Sequence, residues 1–307
     1  MNDKITILKQ NIEQRIVGKG DVIDKILTAL LAGGHVLLED VPGVGKTSLA
    51  KALADSLSLS FSRIQCTPDT MPSDITGISI YNKDTGTFTV MPGPVLSNIV
   101  LADELNRTSP KTQSALLEVM EELKLTIDGN SYEVPKPFMV IGTQNPAEMA
   151  GTYPLPESQL DRFIMKLSVG YPASDASKEM AKRFLDGNLH SDTSAVLTGD
   201  DINAMKQEVS KVSIHENLLS YASDIVDTTR NKAEIAVGAS PRALLSLIRC
   251  SQAIAYLEGR DYCIPEDIKS AAELTLPHRL ILTSEARLSR ITGTELVKDI
   301  LTKIKVQ

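Results

Sequence analysis

Three short stretches of the sequence carry residues that could bind and hydrolyse a nucleotide phosphate chain. The first, residues 40–47, reads DVPGVGKT and lies between an apolar run and a helical pattern. It matches the phosphate-loop pattern GxxxxGK followed by Ser or Thr, except that Asp40 replaces the first glycine. Gly43 and Gly45 would let backbone N–H groups turn towards phosphate oxygens. Lys46 would reach the terminal phosphates, and the Thr47 hydroxyl would bind Mg²⁺.

A glycine turn beside a surface lysine is the alternative reading of this first stretch. The flanking strand and helix favour a phosphate loop, because a helix N-terminus adds partial positive charge where an anion binds. The residues expected to contact nucleotide from this loop are Pro42, Gly43, Val44, Gly45, Lys46, Thr47 and Ser48.

The second stretch is an apolar run, residues 99–102, that ends in Asp103 and Glu104. A parallel strand delivers its C-terminal residues to the crevice where ligands bind. Asp103 would therefore hold Mg²⁺, directly or through water, and Glu104 would orient and deprotonate the attacking water. An ordinary acidic loop is the alternative, which a phosphate-loop lysine on another strand of the same sheet disfavours.

The third stretch, GTQNP at residues 142–146, follows another apolar run. An amide at the end of a strand there would contact the γ-phosphate or position the water. Asn145 is the preferred candidate and Gln144 is the rival. A simple Asn-Pro turn is the alternative.

A parallel sheet is needed to bring these stretches together. Apolar runs alternate with helical patterns through the first half, which indicates an α/β fold with strands at residues 35–38, 61–65, 99–102, 138–143 and 164–169. Paired short runs around residues 82–86 and 128–129 predict two β-hairpins. From about Gly170 the pattern is helical. We therefore expect a nucleotide-binding domain over residues 1–170 and a smaller helical domain over residues 171–307.

The composition argues against a nucleic-acid-binding or membrane protein. The 307 residues carry a formal net charge of -7 and no Trp, which weakens the case for a basic, aromatic nucleic-acid surface. The three cysteines are far apart and form no CxxC pattern. The N-terminus is polar, and no stretch approaches the ~18 apolar residues of a spanning helix. We expect a cytoplasmic chain without membrane insertion.

The order of several sequence blocks resembles the MoxR family of AAA+ ATPases over nearly the whole chain. The blocks are PGVGKT, NIVLADELNR, KTQSALLEVMEE, GTQNP, YPLPESQLDRF and GASPRA. The resemblance implies a core sheet with strand order 5-1-4-3-2, an all-helical lid over the nucleotide, and ATP and Mg²⁺ as cofactors. It also matches the two hairpins to inserts of the subgroup that contains MoxR and magnesium-chelatase ATPases.

The same resemblance assigns roles to residues outside the three stretches. Ile16, Val17 and Gly18 match a segment that lies near adenine. Arg162 matches the arginine finger contributed by a neighbouring subunit, and Arg242 matches the second sensor on the lid. A fixed guanidinium is suited to both roles, because charge spreads over the γ-phosphoryl oxygens in the transition state.

Four further polar residues carry other expectations. Arg107 closely follows Glu104 and is a weaker candidate for an interface or phosphate contact. His35, His278 and Arg279 are expected to be structural.

The leading functional hypothesis is an ATP-driven ring, expected to be a hexamer, that remodels or assembles a protein client. The resemblance suggests a chaperone-like role or metal or cofactor insertion, with a von Willebrand factor A-domain protein as a partner. A nucleic-acid translocase is one alternative, which the acidic balance disfavours. A nucleotide-gated interaction module with little turnover is another, which the intact Lys46, Asp103, Glu104 and Arg162 disfavour.

Overall fold

A five-stranded parallel sheet occupies the centre of the first half of the chain. The computed structural model describes residues 3–41, 43–145, 151–186 and 194–306. The strands are β1 (His35–Glu39), β2 (Phe61–Gln65), β3 (Gly77–Asn82), β4 (Thr87–Pro92), β5 (Ile99–Asp103), β6 (Lys124–Ile127), β7 (Asn130–Glu133), β8 (Met139–Gln144), β9 (Phe163–Leu167), β10 (Ile235–Val237) and β11 (Ile281–Leu282). The main sheet has the order β2-β5-β8-β1-β9, all parallel. The predicted order, 5-1-4-3-2 among the core strands, is confirmed.

Helices pack on this sheet and make up most of the second half. They are α1 (Asp3–Arg15), α2 (Gly20–Leu31), α3 (Lys46–Ser56), α4 (Pro72–Thr76), α5 (Pro110–Glu122), α6 (Glu157–Leu160), α7 (Ser174–Leu185), α8 (Gly199–Val209), α9 (Glu216–Asn231), α10 (Pro241–Leu257), α11 (Pro265–Thr275), α12 (Ser284–Leu288) and α13 (Gly293–Lys303). α5 begins where a serine cap followed by proline predicts a helix start, with the Ser109 side chain accepting the Thr112 N–H.

Side chains alternate between the two faces of the sheet. In β1, Val36 and Leu38 join a core with α1, α2 and α3, whereas Leu37 joins a second core with α5. Both faces are therefore covered, and the central strands read as continuous apolar runs in the sequence. The polar residues that end these strands, including Glu39, Asp103 and Gln144, meet at one edge of the sheet.

Both predicted hairpins are present. β3 and β4, which lie between β2 and β5 in the sequence, pair antiparallel with each other, and β6 pairs antiparallel with β7. The root of the first hairpin is held by backbone bonds from Gly93 N to Thr76 O and from Val95 N to Ile75 O, each 3.2 Å long. Its exposed apolar side chains are Ile78, Ile80, Tyr81, Phe88 and Met91.

The second half is a helical lid, as predicted, with one addition. β10 and β11 form a two-stranded antiparallel sheet that the all-helical expectation does not include. These strands have three and two residues, which is too short for a period-2 pattern to be read. The change from sheet to helix falls between β9 and α7, and the domain boundary at residue 170 stays a prediction.

One hydrophobic core runs from the sheet into the lid. Leu38 of β1 and Leu247 of α10 belong to the same buried cluster. The three cysteines are buried and free, and burial raises the pKa of Cys250 to about 12. Within the described ranges, no helix combines the length and the apolar character needed to cross a membrane.

Candidate active site

The phosphate loop joins β1 to α3 at the edge of the sheet where the polar strand ends meet. Gly43 and Gly45 have φ of +86° and +88°, the left-handed conformation that glycine adopts without steric cost. α3 begins directly after Gly45. The Lys46 ammonium donates a 3.1 Å hydrogen bond to the Asp40 carbonyl and so lies against its own loop. Pro42 lies outside the described residues.

Asp103 is held at the end of β5 by two donors. The Thr143 hydroxyl donates to Asp103 Oδ1 at 2.6 Å, and the Arg63 guanidinium donates to Oδ2 at 2.6 Å. Thr143 lies on the neighbouring strand β8 and is fully buried. The side chain expected to hold Mg²⁺ is therefore fixed in position by adjacent strands on both sides.

Glu104 has a left-handed backbone conformation with φ of 56°, which is strained for a residue with a side chain. Its N–H donates to Thr143 Oγ1 at 2.9 Å, so the same hydroxyl contacts both acidic residues. Its carboxylate accepts hydrogen bonds from Arg107 Nη1 at 2.9 Å and from Gln65 Nε2 at 3.1 Å. Arg107 thus contacts the expected base in this chain.

A cavity of about 360 Å³ contains most of the residues predicted for the hydrolytic site. Its lining residues are Gly43, Gly45, Lys46, Thr47, Ser48, Arg63, Gln65, Asp103, Glu104 and Asn145. Gln144 instead donates to Glu39 Oε1 at 2.6 Å, so of the two candidate amides only Asn145 lines the cavity. Arg63 and Gln65 were not predicted. The rule that strand ends meet at one edge would have identified Gln65, which ends β2 beside Asp103.

The oxygen donors Thr47 and Asp103 line this cavity together, which fits Mg²⁺. Among the residues that the structure describes, no cluster of three or more His, Cys, Asp or Glu side chains could hold a metal ion alone. Mg²⁺ is commonly bound by one or two protein ligands together with substrate phosphates and water. Two protein oxygen donors are therefore a set that would suit Mg²⁺ bound together with substrate phosphates.

A second cavity of about 290 Å³ adjoins the loop on the side of the lid. Val17 lines it together with Ile16 and Val44, and the contact of Val17 with adenine stays a prediction. Gly18 is not among the lining residues and packs against α7, since an added Cβ would lie 2.5 Å from Ala176 Cβ. Gly43, Gly45 and Ser48 of the predicted loop line it as well, and the remaining walls come from residues that were not predicted, namely Arg15, Lys19, Leu49, Val169, Tyr171, Pro172, Met180 and Arg183.

Arg162 and Arg242 lie together, away from the phosphate loop of their own chain. Arg162 Nη2 is 3.0 Å from one Glu121 oxygen, and Arg242 Nη2 donates to the other. Both line a cavity with His35, which begins β1. Lys46 lies beyond the other end of that strand, after Glu39 and the loop that follows it. Five strand residues span about 16 Å. The structure thus does not bring either arginine to its own loop.

Arg279 joins the lid to the segment that carries Arg162. Its side chain is 2% exposed and donates to Asp161 Oδ1 at 2.8 Å and to the Phe163 carbonyl at 2.9 Å. Burial lowers the pKa of the Arg279 guanidinium, and the Asp161 charge opposes this effect. The neighbouring His278 bonds to the same carbonyl at 3.0 Å, and burial lowers its pKa to about 3. Arg279 and His278 were expected to be structural, and both connect the lid to the segment around Asp161 and Phe163.

Known proteins resemble this chain over nearly its whole length. Residues 35–165 match the ATPase family associated with various cellular activities (AAA), and residues 227–300 match the AAA lid domain. The Bacillus subtilis protein YeaC is 47% identical over 97% of this chain and 93% of its own length. Chaperone MoxR1 of Mycobacterium tuberculosis is 40% identical over 94% of this chain and 79% of its own. A crystal structure of a Cytophaga hutchinsonii protein classed as an ATPase is 40% identical, with a TM-score of 0.94, and the match covers 99% of this chain and 95% of that one.

Proposed function

Because this chain belongs to the MoxR family of AAA+ ATPases, we propose that it hydrolyses ATP with Mg²⁺ at sites shared between neighbouring subunits of a ring. The observation that carries the proposal is the position of Arg162 and Arg242. Both guanidinium groups form ion pairs with Glu121 near the start of β1, whereas the phosphate loop follows the other end of β1. A complete site therefore needs a second copy of the chain to supply them.

Each subunit supplies the phosphate loop and the water-activating group in this proposal. Lys46 leaves the Asp40 carbonyl to bind the terminal phosphates, and Asn145 contacts the γ-phosphate. Thr47 and Asp103 would hold Mg²⁺, which when bound neutralises charge on the β- and γ-phosphates. Glu104 exchanges its contacts with Gln65 and Arg107 for the attacking water and accepts its proton.

The neighbouring subunit supplies the two arginines. A guanidinium fixed beside the γ-phosphoryl oxygens stabilises the charge that spreads over them in the transition state. Arg162 and Arg242 exchange Glu121 for those oxygens when subunits meet. Arg279 connects the lid to Asp161, which precedes Arg162, so movement of the lid changes the position of the arginine finger.

Remodelling or assembly of a protein client is the work that we assign to hydrolysis. Chaperone MoxR1 is a relative at 40% identity, and the first hairpin exposes large apolar side chains, of which Phe88 is 70% exposed. Exposed apolar side chains suit contacts with proteins. We further propose that the ring is a hexamer and that its partner is a von Willebrand factor A-domain protein. Insertion of a metal or cofactor into the client is the form of assembly that we propose.

Mixing two inactive variants tests the shared site. Glu104→Gln lacks the base but keeps its arginines, whereas Arg162→Ala lacks the finger but keeps its base. Activity regained on mixing supports a shared site, because subunits lacking the finger then receive one from their neighbours. No recovery, with both variants still binding nucleotide and assembling, contradicts it. Arg242→Ala is tested in the same way.

Arg249→Ala is the matched control, since Arg249 lines the same cavity while the ion pairs to Glu121 come from Arg162 and Arg242. Specific activity should also rise with the concentration of the wild-type chain. Constant specific activity, with a normal Arg162→Ala variant, would mean that one chain contains the whole site. Nucleotide binding without turnover at any concentration would instead support the gated interaction module.

A further inference from the structure

The segment that connects the sheet to the lid is held from two sides. We call residues 168–171 the connecting segment; it lies between β9 and α7. On one side the Asp40 carboxylate accepts the N–H groups of Val169 and Gly170, the latter at 3.1 Å, and the Ser168 hydroxyl at 3.2 Å. On the other side a lysine ammonium donates to three successive carbonyls of the segment.

That lysine is Lys19, at the start of α2. Its Nζ lies 2.7 Å from the Val169 carbonyl, 2.9 Å from the Gly170 carbonyl and 3.0 Å from the Tyr171 carbonyl. The negative Asp40 therefore binds the N–H groups of the connecting segment, and the positive Lys19 binds its carbonyl groups. Hydrogen bonds to charged groups are about twice as strong as neutral ones.

Asp40 occupies the position of the first phosphate-loop glycine, but its side chain does not point at a phosphate site. It is 9% exposed, and burying a polar group costs free energy unless the group is hydrogen-bonded. Successive N–H groups supply these bonds, and Gly170, with φ of +65°, adopts the conformation that turns them inward as an anion nest. The loop thus contains a carboxylate whose bound partner is the connecting segment.

The connecting segment forms one wall of the cavity predicted to take the nucleotide base. Val169 and Tyr171 line that cavity, as do Lys19, Val17 and Val44. The phosphate cavity, in contrast, contains neither Asp40 nor any residue of the connecting segment. Loss of the Asp40 contacts would therefore release the wall beside the base and leave the phosphate contacts in place.

We propose that Asp40 and Lys19 are positioning residues for base recognition: by fixing the connecting segment they hold Val169 and Tyr171 against the base. The inference rests on the proposed binding of ATP at this site. The loop pattern alone leads to a different result: a glycine at position 40 would complete the pattern, so Asp40→Gly would leave nucleotide affinity unchanged or raise it.

Calorimetric titration of the full chain with three probes tests the proposal. ADP reports on base and phosphates, GDP on selectivity for the base, and inorganic pyrophosphate on the phosphate loop alone. In Asp40→Gly, ADP affinity should fall about tenfold or more, because only the fraction of molecules with the wall in place binds the base well. The ratio of ADP to GDP affinity should fall with it, while pyrophosphate affinity stays within about twofold.

Two further variants complete the design. Asp40→Asn retains one acceptor oxygen and should give a smaller loss than Asp40→Gly. Asp84→Asn, in the turn of the first hairpin, is the matched control for loss of one carboxylate charge and should bind all three probes normally. If Asp40→Gly fails to fold, Lys19→Met releases the same segment from the other side and should show the same loss of ADP selectivity.

Unchanged ADP affinity and selectivity in Asp40→Gly or Lys19→Met would overturn the inference. An equal loss for ADP and pyrophosphate would also overturn it, since Asp40 would then act on the phosphate loop. A wild-type chain that binds neither ADP nor pyrophosphate would contradict the proposed function itself, which separates the two failures.

Discussion

Replacing Thr143 with valine should slow hydrolysis without weakening nucleotide binding. Thr143 is fully buried and does not line the phosphate cavity. Its hydroxyl donates to Asp103 Oδ1 at 2.6 Å and accepts the Glu104 N–H at 2.9 Å. One oxygen atom therefore positions both the expected metal ligand and the expected base. Valine has nearly the same shape but offers neither a donor nor an acceptor.

The size of the effect follows from the two contacts that are lost. A hydrogen bond to a charged group contributes about 1.5–3 kcal/mol, and a buried N–H left without a partner costs about 1–3 kcal/mol. If the first contact acts mainly in the transition state, kcat should fall about ten- to a hundredfold, since each 1.36 kcal/mol is a factor of ten. The free energy of unfolding should fall by about 1–3 kcal/mol.

The assay is steady-state ATP hydrolysis with Mg²⁺, together with a direct measurement of ADP affinity and a urea unfolding curve. Thr143→Ser is the matched control, because it keeps the hydroxyl and loses only a methyl group. Its kcat should remain within a few-fold of the wild-type value. A Thr143→Val variant with normal kcat would refute the reasoning, and so would equal losses of kcat in both variants.

Three other predictions follow from buried or strained groups. Glu104→Gly should abolish turnover yet raise the free energy of unfolding by up to about 1 kcal/mol, because glycine removes the strain at φ 56°; Glu104→Gln, which keeps the strain, is the control in urea unfolding. Burial lowers the pKa of His35 from 6.5 to about 4, so this imidazole binds a proton only in the unfolded chain between those values. The free energy of unfolding should therefore fall as pH is lowered from 6.5 to 4, by at most about 3 kcal/mol from His35, with a smaller pH dependence in His35→Gln. Arg279→Met should cost about 3–5 kcal/mol in urea unfolding, because it leaves buried acceptors unpaired, whereas Arg242→Met at an exposed pair should cost less than about 1 kcal/mol.

The sheet and the residues that line the phosphate cavity could be predicted because their determinants are local in the sequence. β1, β5 and β8 are buried on both faces and therefore appear as unbroken apolar runs. Each run ends in polar residues, and parallel strands bring such ends to one edge. Lys46, Asp103 and Asn145 could thus be assigned to one site, whereas the order of the strands came from the family resemblance.

The remaining features depend on contacts between distant parts of the chain. Glu121 is an ordinary charged position on a helix surface until the fold brings Arg162 and Arg242 to it. Asp40 looks like an imperfect loop residue, because its partner Gly170 is 130 positions away. No periodicity or motif signals either contact. Such contacts can be identified only once the fold of the intervening chain is known.

The root of the first hairpin has a mechanical consequence. Each strand has six residues, so the tip lies about 20 Å from the Gly93–Thr76 and Val95–Ile75 backbone bonds. A rotation of about 10° at the root would then displace the tip by about 3–4 Å, roughly the length of one strand residue. In the chain the hairpin follows β2, which ends in Gln65, and precedes the start of β5 at Ile99. A small rearrangement at Gln65, transmitted through α4, would therefore be amplified at Phe88 near the tip of the hairpin.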